Sequence, residues 1–213
     1  CGPLEISFIN PQESQTYDFS ISNQIPYTID YKGCEEIIPS VMIVDESENY
    51  VRWINGLYFN SSTIGNYMYD APIAMPSGTY RLRMDYWDNE QMNYVYSNYF
   101  YIENNNAGIE IWEPFSYSYW VKEDGKQYSI VWMSNNVASV NLSYSIDNGN
   151  IWNTIENGVS SLNGMNNYLF EIPSSIDGHF TECIIKIEDA SNINNIDYSD
   201  VFTITSIPPV SFI

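Results

Sequence analysis

Apolar and polar residues alternate along most of the chain with a period of two. In the segment RLRMDYW, Leu82 and Met84 would lie on one side of an extended backbone and Arg81, Arg83 and Asp85 on the other. The segment TECIIKIED alternates in the same way. This period is typical of a half-buried β-strand, and no segment shows the 3.6-residue spacing of an amphipathic helix. The turn signals Pro-Ser-Gly, Asp-Asn-Gly and Asp-Gly separate the alternating runs.

The pattern is present twice, because landmark segments recur in the same order about 100 residues later. The matched pairs are residues 6–11 with 109–114, 27–31 with 128–132, Val41 and Trp53 with Val140 and Trp152, 75–80 with 172–180, and 96–102 with 198–204. Between the copies lies the short polar stretch ENNNAG. Each copy has room for about seven short strands. We therefore predict an all-β fold of two tandem immunoglobulin-like β-sandwich domains, residues 1–103 and 104–205.

The last residues, SIPPVSFI, look like the beginning of a third copy that does not follow. We assign residues 206–213 to a C-terminal strand whose core is Val210, Ser211, Phe212 and Ile213. An isolated strand leaves its backbone N–H and C=O groups unpaired. It would therefore fold back on its own domain, remain a frayed tail, or pair with a sheet edge of a neighbouring molecule. Pairing between copies is head-to-tail and need not close, so repetition would give a filament or surface layer.

The charge balance limits the partners, since 27 acidic residues face 7 basic ones for a net charge of −20. Nucleic acid and anionic membrane surfaces are disfavoured, because binding to them requires clustered Lys and Arg. No run approaches the roughly 18 apolar residues that cross a bilayer, so direct membrane insertion is not expected. Solubility explains the acidity most simply, with calcium bridging or adaptation to a mineral-rich medium as the alternatives.

Three cysteines and two sequons bear on the compartment. Cys1 and Cys34 flank the first two strands at the same pole of the first domain, so a disulfide between them is sterically reasonable. Cys183 then remains as a buried free thiol. The alternative is an intersubunit bridge through Cys183 or Cys1. Asn60 and Asn141 begin N-x-[ST] sequons. Together with a first residue other than Met, these features predict a processed extracellular or cell-surface glycoprotein.

Catalytic and metal chemistry find little support in the sequence. The single histidine, His179, follows Asp177-Gly178 in a predicted turn, so no His-based relay or zinc site is expected. The acidic groups around Asp45 and Asp85 are predicted to lie in hairpin loops without an EF-hand pattern, which leaves calcium only a weak alternative to solvation. We expect no enzyme activity, no resident metal and no cofactor other than N-linked glycans.

Tryptophans that do not recur in the repeat are candidates for contact. Trp132 and Trp152 match Tyr31 and Trp53, which favours a place in the core for Trp132 and Trp152. Trp112 follows an inward position, and Trp120 and Trp87 lie near strand ends, so these three would be exposed. Exposed aromatic rings serve as anchors in protein contacts, stack on sugar rings, or are exposed without a binding role.

The second copy resembles a known family through the segments VNLSYSIDNGNIWNTIENGV, YLFEIPSS, CIIKIEDASN and YSDVFTI. The resemblance is to the Kre/Knh-like domain of fungal Ser/Thr-rich, GPI-anchored cell-wall proteins. Phe170 replaces the Trp usual in the family, and Asn148-Gly149 stands where two glycines are common. The resemblance implies an extracellular β-sandwich that contributes to cell-surface architecture, and it carries no catalytic residues.

Two functions follow as expectations. The first is an extracellular structural glycoprotein that assembles head-to-tail through its C-terminal strand, with other copies of itself as partners. The alternative is an adhesive module that binds a cell-wall or surface glycan through exposed aromatics.

Overall fold

The computed structural model describes residues 4–88 and 90–206, and its regular structure consists of β-strands. In the first half of the chain the strands are β1 (Glu5–Asn10), β2 (Gln15–Asp18), β3 (Gln24–Lys32), β4 (Ser40–Asp45), β5 (Tyr50–Gly56), β6 (Thr63–Asp70), β7 (Gly78–Asp88), β8 (Gln91–Tyr96) and β9 (Phe100–Glu103). In the second half they are β10 (Gly108–Glu113), β11 (Tyr119–Val121), β12 (Gln127–Asn135), β13 (Ser139–Ser145), β14 (Asn153–Ser160), β15 (Gly164–Glu171), β16 (His179–Asp189), β17 (Asn192–Tyr198) and β18 (Phe202–Thr205).

The two halves have the same sheet topology. One sheet of each half has the order β1-β3-β6 or β10-β12-β15. The other has the order β2-β9-β7-β4-β5, with β8 also on β7, or β11-β18-β16-β13-β14, with β17 also on β16. The pairs β2–β9 and β11–β18 are parallel, whereas the other strand pairs are antiparallel. The predicted fold class is confirmed: the protein is all-β, with two tandem immunoglobulin-like β-sandwiches.

The chain divides into two compact units between Asn105 and Asn106, except that Pro72–Pro76 groups with the second unit. We call them domain 1 and domain 2. In each, inward side chains of both sheets form a core, as the alternating pattern predicts. Fully buried examples are Ile29, Ile43, Leu82, Met84 and Ile102 in domain 1 and Trp132, Leu142, Cys183, Ile185, Ile187 and Ile204 in domain 2.

A serine clamps the same place in both domains, where the strand beside β7 or β16 is interrupted. The Ser97 N–H donates to the Leu82 carbonyl, and the Ser97 hydroxyl accepts from the Leu82 N–H, both at 2.9 Å. Ser199 makes the same pair of bonds with Ile185, also at 2.9 Å. In each case the hydroxyl donates to the carbonyl of the next residue at 2.8 Å. The predicted match of 96–102 with 198–204 is therefore a structural equivalence.

Two other predicted matches are wrong by two residues. Phe8 lies opposite Ile29, and its counterpart Ile111 lies opposite Trp132, so Trp132 is equivalent to Ile29 and not to Tyr31. A shift of two positions returns a strand residue to the same face. Tyr31 and Trp132 are accordingly both buried in the core, where Trp132 was predicted to lie.

The second wrong match concerns the tryptophans on the β4–β5 hairpin and its counterpart. Arg83 and Lys186 directly follow the two clamped residues Leu82 and Ile185, and they pair with Met42 and Ser143. Met42 and Ser143 are therefore equivalent. On the other side, Met42 lies opposite Trp53 and Ser143 lies opposite Thr154. Thr154, rather than Trp152, is thus equivalent to Trp53. Trp53 is 52% exposed, and Trp152, which was predicted to lie in the core, is only half-buried.

Candidate binding surfaces

Trp120 is not a surface residue, contrary to the prediction. It lies in the short strand β11, is 5% exposed, and has its ring centroid 4.5 Å from that of Phe202 and 5.0 Å from that of Tyr128. Trp120 faces Ile204 in the parallel pair, as Tyr17 faces Ile102 in domain 1. Both are core residues that close the β2–β9 or β11–β18 side of their sandwich, so Trp120 is excluded as a stacking residue.

The other two predicted aromatics differ from each other. Trp87 is 64% exposed at the end of β7 and is available for contact. Trp112 is half-buried, and its Nε1–H donates to Glu110 Oε2 at 3.0 Å. Trp152 is half-buried as well.

The predicted disulfide and assembly strand depend on residues beyond those the structure describes. Cys1, Val210, Ser211, Phe212 and Ile213 all lie outside the described residues, so both stay predictions. Cys183 is a free, buried cysteine, and burial raises the pKa of its thiol to about 11. An intersubunit bridge through this side chain would require it to leave the core.

The two sequon asparagines occupy different settings. Asn60 is exposed in the connection between β5 and β6. Asn141 lies within β13, and its Oδ1 accepts from the Gly158 N–H at 3.1 Å. The occupancy of both sequons stays a prediction.

Residues with catalytic or metal-binding potential are dispersed in the structure. His179 is exposed at the start of β16, with its ring 6.4 Å from that of Tyr119. Among residues 4–88 and 90–206, no group of three or more His, Cys, Asp or Glu side chains is arranged to hold a metal ion. The same residues include no helix with the length and hydropathy needed to cross a membrane.

The outward side of the β5–β4–β7–β8 sheet in domain 1 carries exposed aromatics around an arginine. One row across these strands consists of Trp53, Met42, Arg83 and Tyr96, in that order. We call the surface formed by Tyr50, Trp53, Arg83, Trp87, Met92 and Tyr94 the Arg83 face. All of its members except Arg83 are exposed.

Arg83 is held in place by its neighbours. Its Nε and Nη2 donate to the two carboxylate oxygens of Asp85 at 2.6 and 3.1 Å, and its guanidinium lies 4.8 Å from the centre of the Tyr94 ring. Hydrogen bonding to Asp85 raises the pKa of the Arg83 guanidinium. This bidentate pair fixes the planar group, which can stack against a partner with little loss of side-chain entropy.

The equivalent row in domain 2 consists of Thr154, Ser143, Lys186 and Tyr198. Lys186 pairs with Glu188 at 3.0 Å, as Arg83 pairs with Asp85, and its Nζ lies 5.1 Å from the centre of a Trp152 ring. The charge pair is thus retained, but the flanking large side chains of domain 1 are replaced by hydroxyl residues.

A pocket of about 560 Å³ lies beside the Arg83 face, near the β2–β9 side of domain 1. We call it the Arg81 pocket. It is lined by Glu13, Ser14, Thr79, Arg81, Ser97, Asn98, Tyr99, Phe100 and Tyr101. Arg81 is 14% exposed, bonds to Glu48 through Nη2, and has its guanidinium 3.5 Å from the Tyr96 ring centre and 4.8 Å from that of Tyr99. Sequence reasoning missed this pocket, although RLR was recognised as a strand with outward arginines.

Domain 2 has a pocket of about 470 Å³ at the equivalent place. It is lined by Ser116, Tyr117, Ser118, Tyr119, Thr181, Val201, Phe202 and Thr203. Hydroxyl groups and two tyrosines recur there, whereas the arginine, the carboxylate and the carboxamide of the Arg81 pocket do not.

Open sheet edges form a second kind of candidate surface. Among residues 4–88 and 90–206, strand β6 pairs with β3 alone, and β15 with β12 alone. Each is eight residues long and pairs in an uninterrupted register. The edges β1, β5 and their counterparts β10 and β14 contain register shifts, and β2 and β11 have only four and three residues. Strand β8 also pairs without a shift but has six residues, and its counterpart β17 contains a shift.

Comparison with known proteins supports no closer assignment. No family model and no curated protein sequence matches the chain, so the Kre/Knh-like resemblance stays a prediction. Among solved structures, the chain is similar to the fibronectin(III)-like modules of Clostridium thermocellum CbhA, with 10% identity, a TM-score of 0.30 and 98% and 99% of the two chains covered. It is also similar to a chimeric titin tandem, at 13% identity, a TM-score of 0.29 and coverage of 94% and 97%. A Salmonella enterica SafA pilin–SafB chaperone complex matches at 6% identity, a TM-score of 0.36 and coverage of 95% and 97%. At such values the likeness concerns the fold alone.

Proposed function

We propose that the protein is an extracellular structural subunit that assembles head-to-tail into a filament or surface layer. In this proposal, residues 210–213 of one copy add a strand to the open edge of β6 or β15 in the next copy. The observation that carries the proposal is the presence, in both domains, of a long and regular sheet edge that has no partner strand among the described residues.

Natural sheets usually protect such edges with prolines, lysines, bulges or short strands. The edges of β1, β5, β10 and β14 are protected by register shifts. By contrast, the sequences of β6 (TIGNYMYD) and β15 (GMNNYLFE) contain no Pro or Lys, and the only charged residue in each is the last one. An added strand would satisfy backbone groups that otherwise depend on water.

Apolar side chains on these edges support strand addition further. Ile64 and Met68 are exposed on β6, and Met165 and Leu169 are exposed on β15. Ile64 lies opposite Asp30, where domain 2 has Met165 opposite Met133, so the apolar positions recur at equivalent places. An incoming strand with alternating residues such as Val210 and Phe212 would cover them and remove apolar area from water.

The test is to remove residues 207–213 and measure particle size by sedimentation velocity. We expect the full chain to form large, polydisperse particles and the truncated chain to sediment as a monomer. Because each copy carries a net charge of −20, assembly should strengthen between about 0.01 M and 0.15 M salt, where the Debye length falls from about 30 to 8 Å and screens the repulsion between copies.

Paired variants locate the acceptor edge. Ile64→Lys with Met68→Lys places charge on the β6 edge, and Met165→Lys with Leu169→Lys places it on the β15 edge. One of the two pairs should abolish assembly, and the other serves as its matched control. A full-length chain that remains monomeric, a truncated chain that still polymerises, or assembly unaffected by both pairs would overturn the proposal.

A further inference from the structure

The Arg81 pocket has a polar floor between aromatic side chains. Thr79 and Arg81 are neighbours on the outward side of β7, and Tyr101 lies opposite Thr79 in the adjacent strand β9. The ring of Tyr99 contacts the Arg81 guanidinium, which lies 4.8 Å from the ring centre. Tyr101 is 43% exposed, so a ligand on the floor can contact its ring.

The polar groups of the pocket include both donors and acceptors. Glu13 and Ser14 are exposed on the connection between β1 and β2 and supply a carboxylate and a hydroxyl group at the rim. Asn98 donates its Nδ2–H to the Pro11 carbonyl at 3.4 Å, which leaves its Oδ1 as an acceptor. The Ser97 hydroxyl, in contrast, is occupied by the backbone clamp.

Arg81 is only partly satisfied by its protein neighbours. Its Nη2 bonds to Glu48, but within the described residues its buried Nε–H has no hydrogen-bond partner. A buried donor without an acceptor is unfavourable and calls for a specific explanation. A small movement of the guanidinium toward a bound acceptor would relieve this deficit.

The charge of the site disfavours anions. Glu48 offsets the charge of Arg81, Glu13 adds a negative charge at the rim, and the chain as a whole carries −20. A phosphate or carboxylate ligand would therefore be repelled over most of its approach. The lining combines tyrosine rings with hydroxyl, carboxamide and carboxylate groups, which does not suit a purely apolar ligand.

We propose that the Arg81 pocket binds a neutral carbohydrate. A sugar ring presents C–H groups on its faces, which suit the tyrosine rings, and hydroxyl groups at its rim, which both donate to and accept from Glu13, Thr79 and Asn98. The volume of about 560 Å³ lies within the usual range of about 300 to 1,000 Å³ for small-molecule sites. The lining of this site shares no residue with β6 or β15, so carbohydrate binding and assembly have independent readouts.

The experiment measures binding of the full chain to soluble neutral β-glucan, mannan, xylan and chito-oligosaccharides by affinity electrophoresis, followed by calorimetry on any that bind. Alginate, an acidic polysaccharide, is included for comparison. We expect at least one neutral glycan to bind and Tyr101→Ala to weaken it at least tenfold. Thr79→Val, which keeps the shape but removes a hydroxyl group, should weaken it several-fold.

Tyr119→Ala in the equivalent pocket of domain 2 is the matched control and should leave binding unchanged. Near-ultraviolet circular dichroism confirms that each variant is folded, and Thr79→Val tests the site should Tyr101→Ala fail to fold. Absence of binding to every neutral glycan, binding to alginate alone, or binding that survives both Tyr101→Ala and Thr79→Val would overturn the inference.

Discussion

The outward sheet faces of domains 1 and 2 differ far more than the frameworks beneath them. The compared rows are Trp53–Met42–Arg83–Tyr96 in domain 1 and Thr154–Ser143–Lys186–Tyr198 in domain 2. Only the cation and the tyrosine are kept, although both rows occupy equivalent strands in the same register. The framework thus tolerates exchange at outward positions, which is where the two domains can diverge in function.

The content of the two faces suggests a division of roles. Tyr, Trp, Met and Arg, which dominate the Arg83 face, are the residues enriched at the centres of protein contacts. In domain 2, Asn141 lies two residues before Ser143 in β13, on the same outward side of the sheet, and opposite Glu188. A glycan on Asn141 would cover that face, whereas the domain 1 sequon, Asn60, lies in a loop after β5. Glycosylation at Asn141 would therefore restrict contact at the domain 2 face, whereas no sequon lies within the strands that form the Arg83 face.

The largest effect on the free energy of unfolding is expected for Trp120 and Tyr17, and it tests whether these two residues are equivalent in the two frameworks. Trp120→Ala removes a buried ring that contacts Phe202 and Tyr128, so we expect a loss of about 3 to 5 kcal/mol in the free energy of unfolding. Tyr17, whose ring lies 5.4 Å from that of Phe100, should show a loss of similar order when changed to Ala. Urea unfolding followed by far-ultraviolet circular dichroism measures both.

Trp87→Ala is the surface control for this pair, with an expected change within about 0.5 kcal/mol. If Trp120→Ala were as mild as Trp87→Ala, Trp120 would not be a core residue and the equivalence with Tyr17 would fail.

A smaller effect tests the serine clamps. Ser97→Ala leaves the buried Leu82 N–H without its side-chain acceptor, and Ser199→Ala does the same to Ile185. Each change should lower the free energy of unfolding by about 1 to 3 kcal/mol, the range for an unsatisfied buried group. The two losses should agree to within about 0.5 kcal/mol. Replacement by Thr, which keeps the hydroxyl group, should restore part of each loss, and unequal losses would show that the clamps differ in spite of their matching distances.

The sequence predicted which residues point inward more accurately than it predicted which residues of the two copies are equivalent. Leu82, Met84 and Ile185 were placed correctly because a period of two depends only on each strand itself. Trp53 was matched to Trp152 because a shift of two residues preserves the pattern, and only the pairing between strands removes that ambiguity. The bulges in the β4–β5 and β13–β14 pairs make the equivalent residues still harder to predict, because a bulge changes the spacing between paired residues in a hairpin.

Trp120 shows a second limit of the sequence. Strand β11 has three residues, too few for a periodic signal, and its burial depends on a parallel pair with β18, which lies more than 80 residues away in the chain. The Arg81 pocket combines residues from β7, β9 and the β1–β2 connection in the same way. The outward direction of Arg81 was predictable from the pattern, but its neighbours across the sheet were not.

The smallest predicted effect concerns Asp197, which has no acidic counterpart in domain 1. Asp197 lies opposite Ile187, and the equivalent residue opposite Met84 is Val95. The Asp197 carboxylate accepts from the Ile111 N–H at 2.7 Å and so connects β17 to β10. Burial raises the pKa of Asp197 above the ordinary value of 3.8, against the lowering effect of this hydrogen bond.

The direction of the pH effect follows from that shift. A raised pKa in the folded state means that the contribution of this group to stability is fully present below pH 3.8 and is lost as the pH rises through the folded-state value. At pH 7 the ionised side chain is therefore unfavourable, and Asp197→Asn, which keeps an oxygen acceptor for Ile111, should be at least as stable as the wild type. The advantage of the variant should shrink as the pH falls toward 4 in urea unfolding experiments. Glu110→Gln, which removes a neighbouring charge that raises the same pKa, should reproduce part of the effect. A loss of more than about 1 kcal/mol for Asp197→Asn at pH 7 would show instead that the charge-assisted bond to Ile111 outweighs burial, and that domain 2 depends on a carboxylate which domain 1 does without.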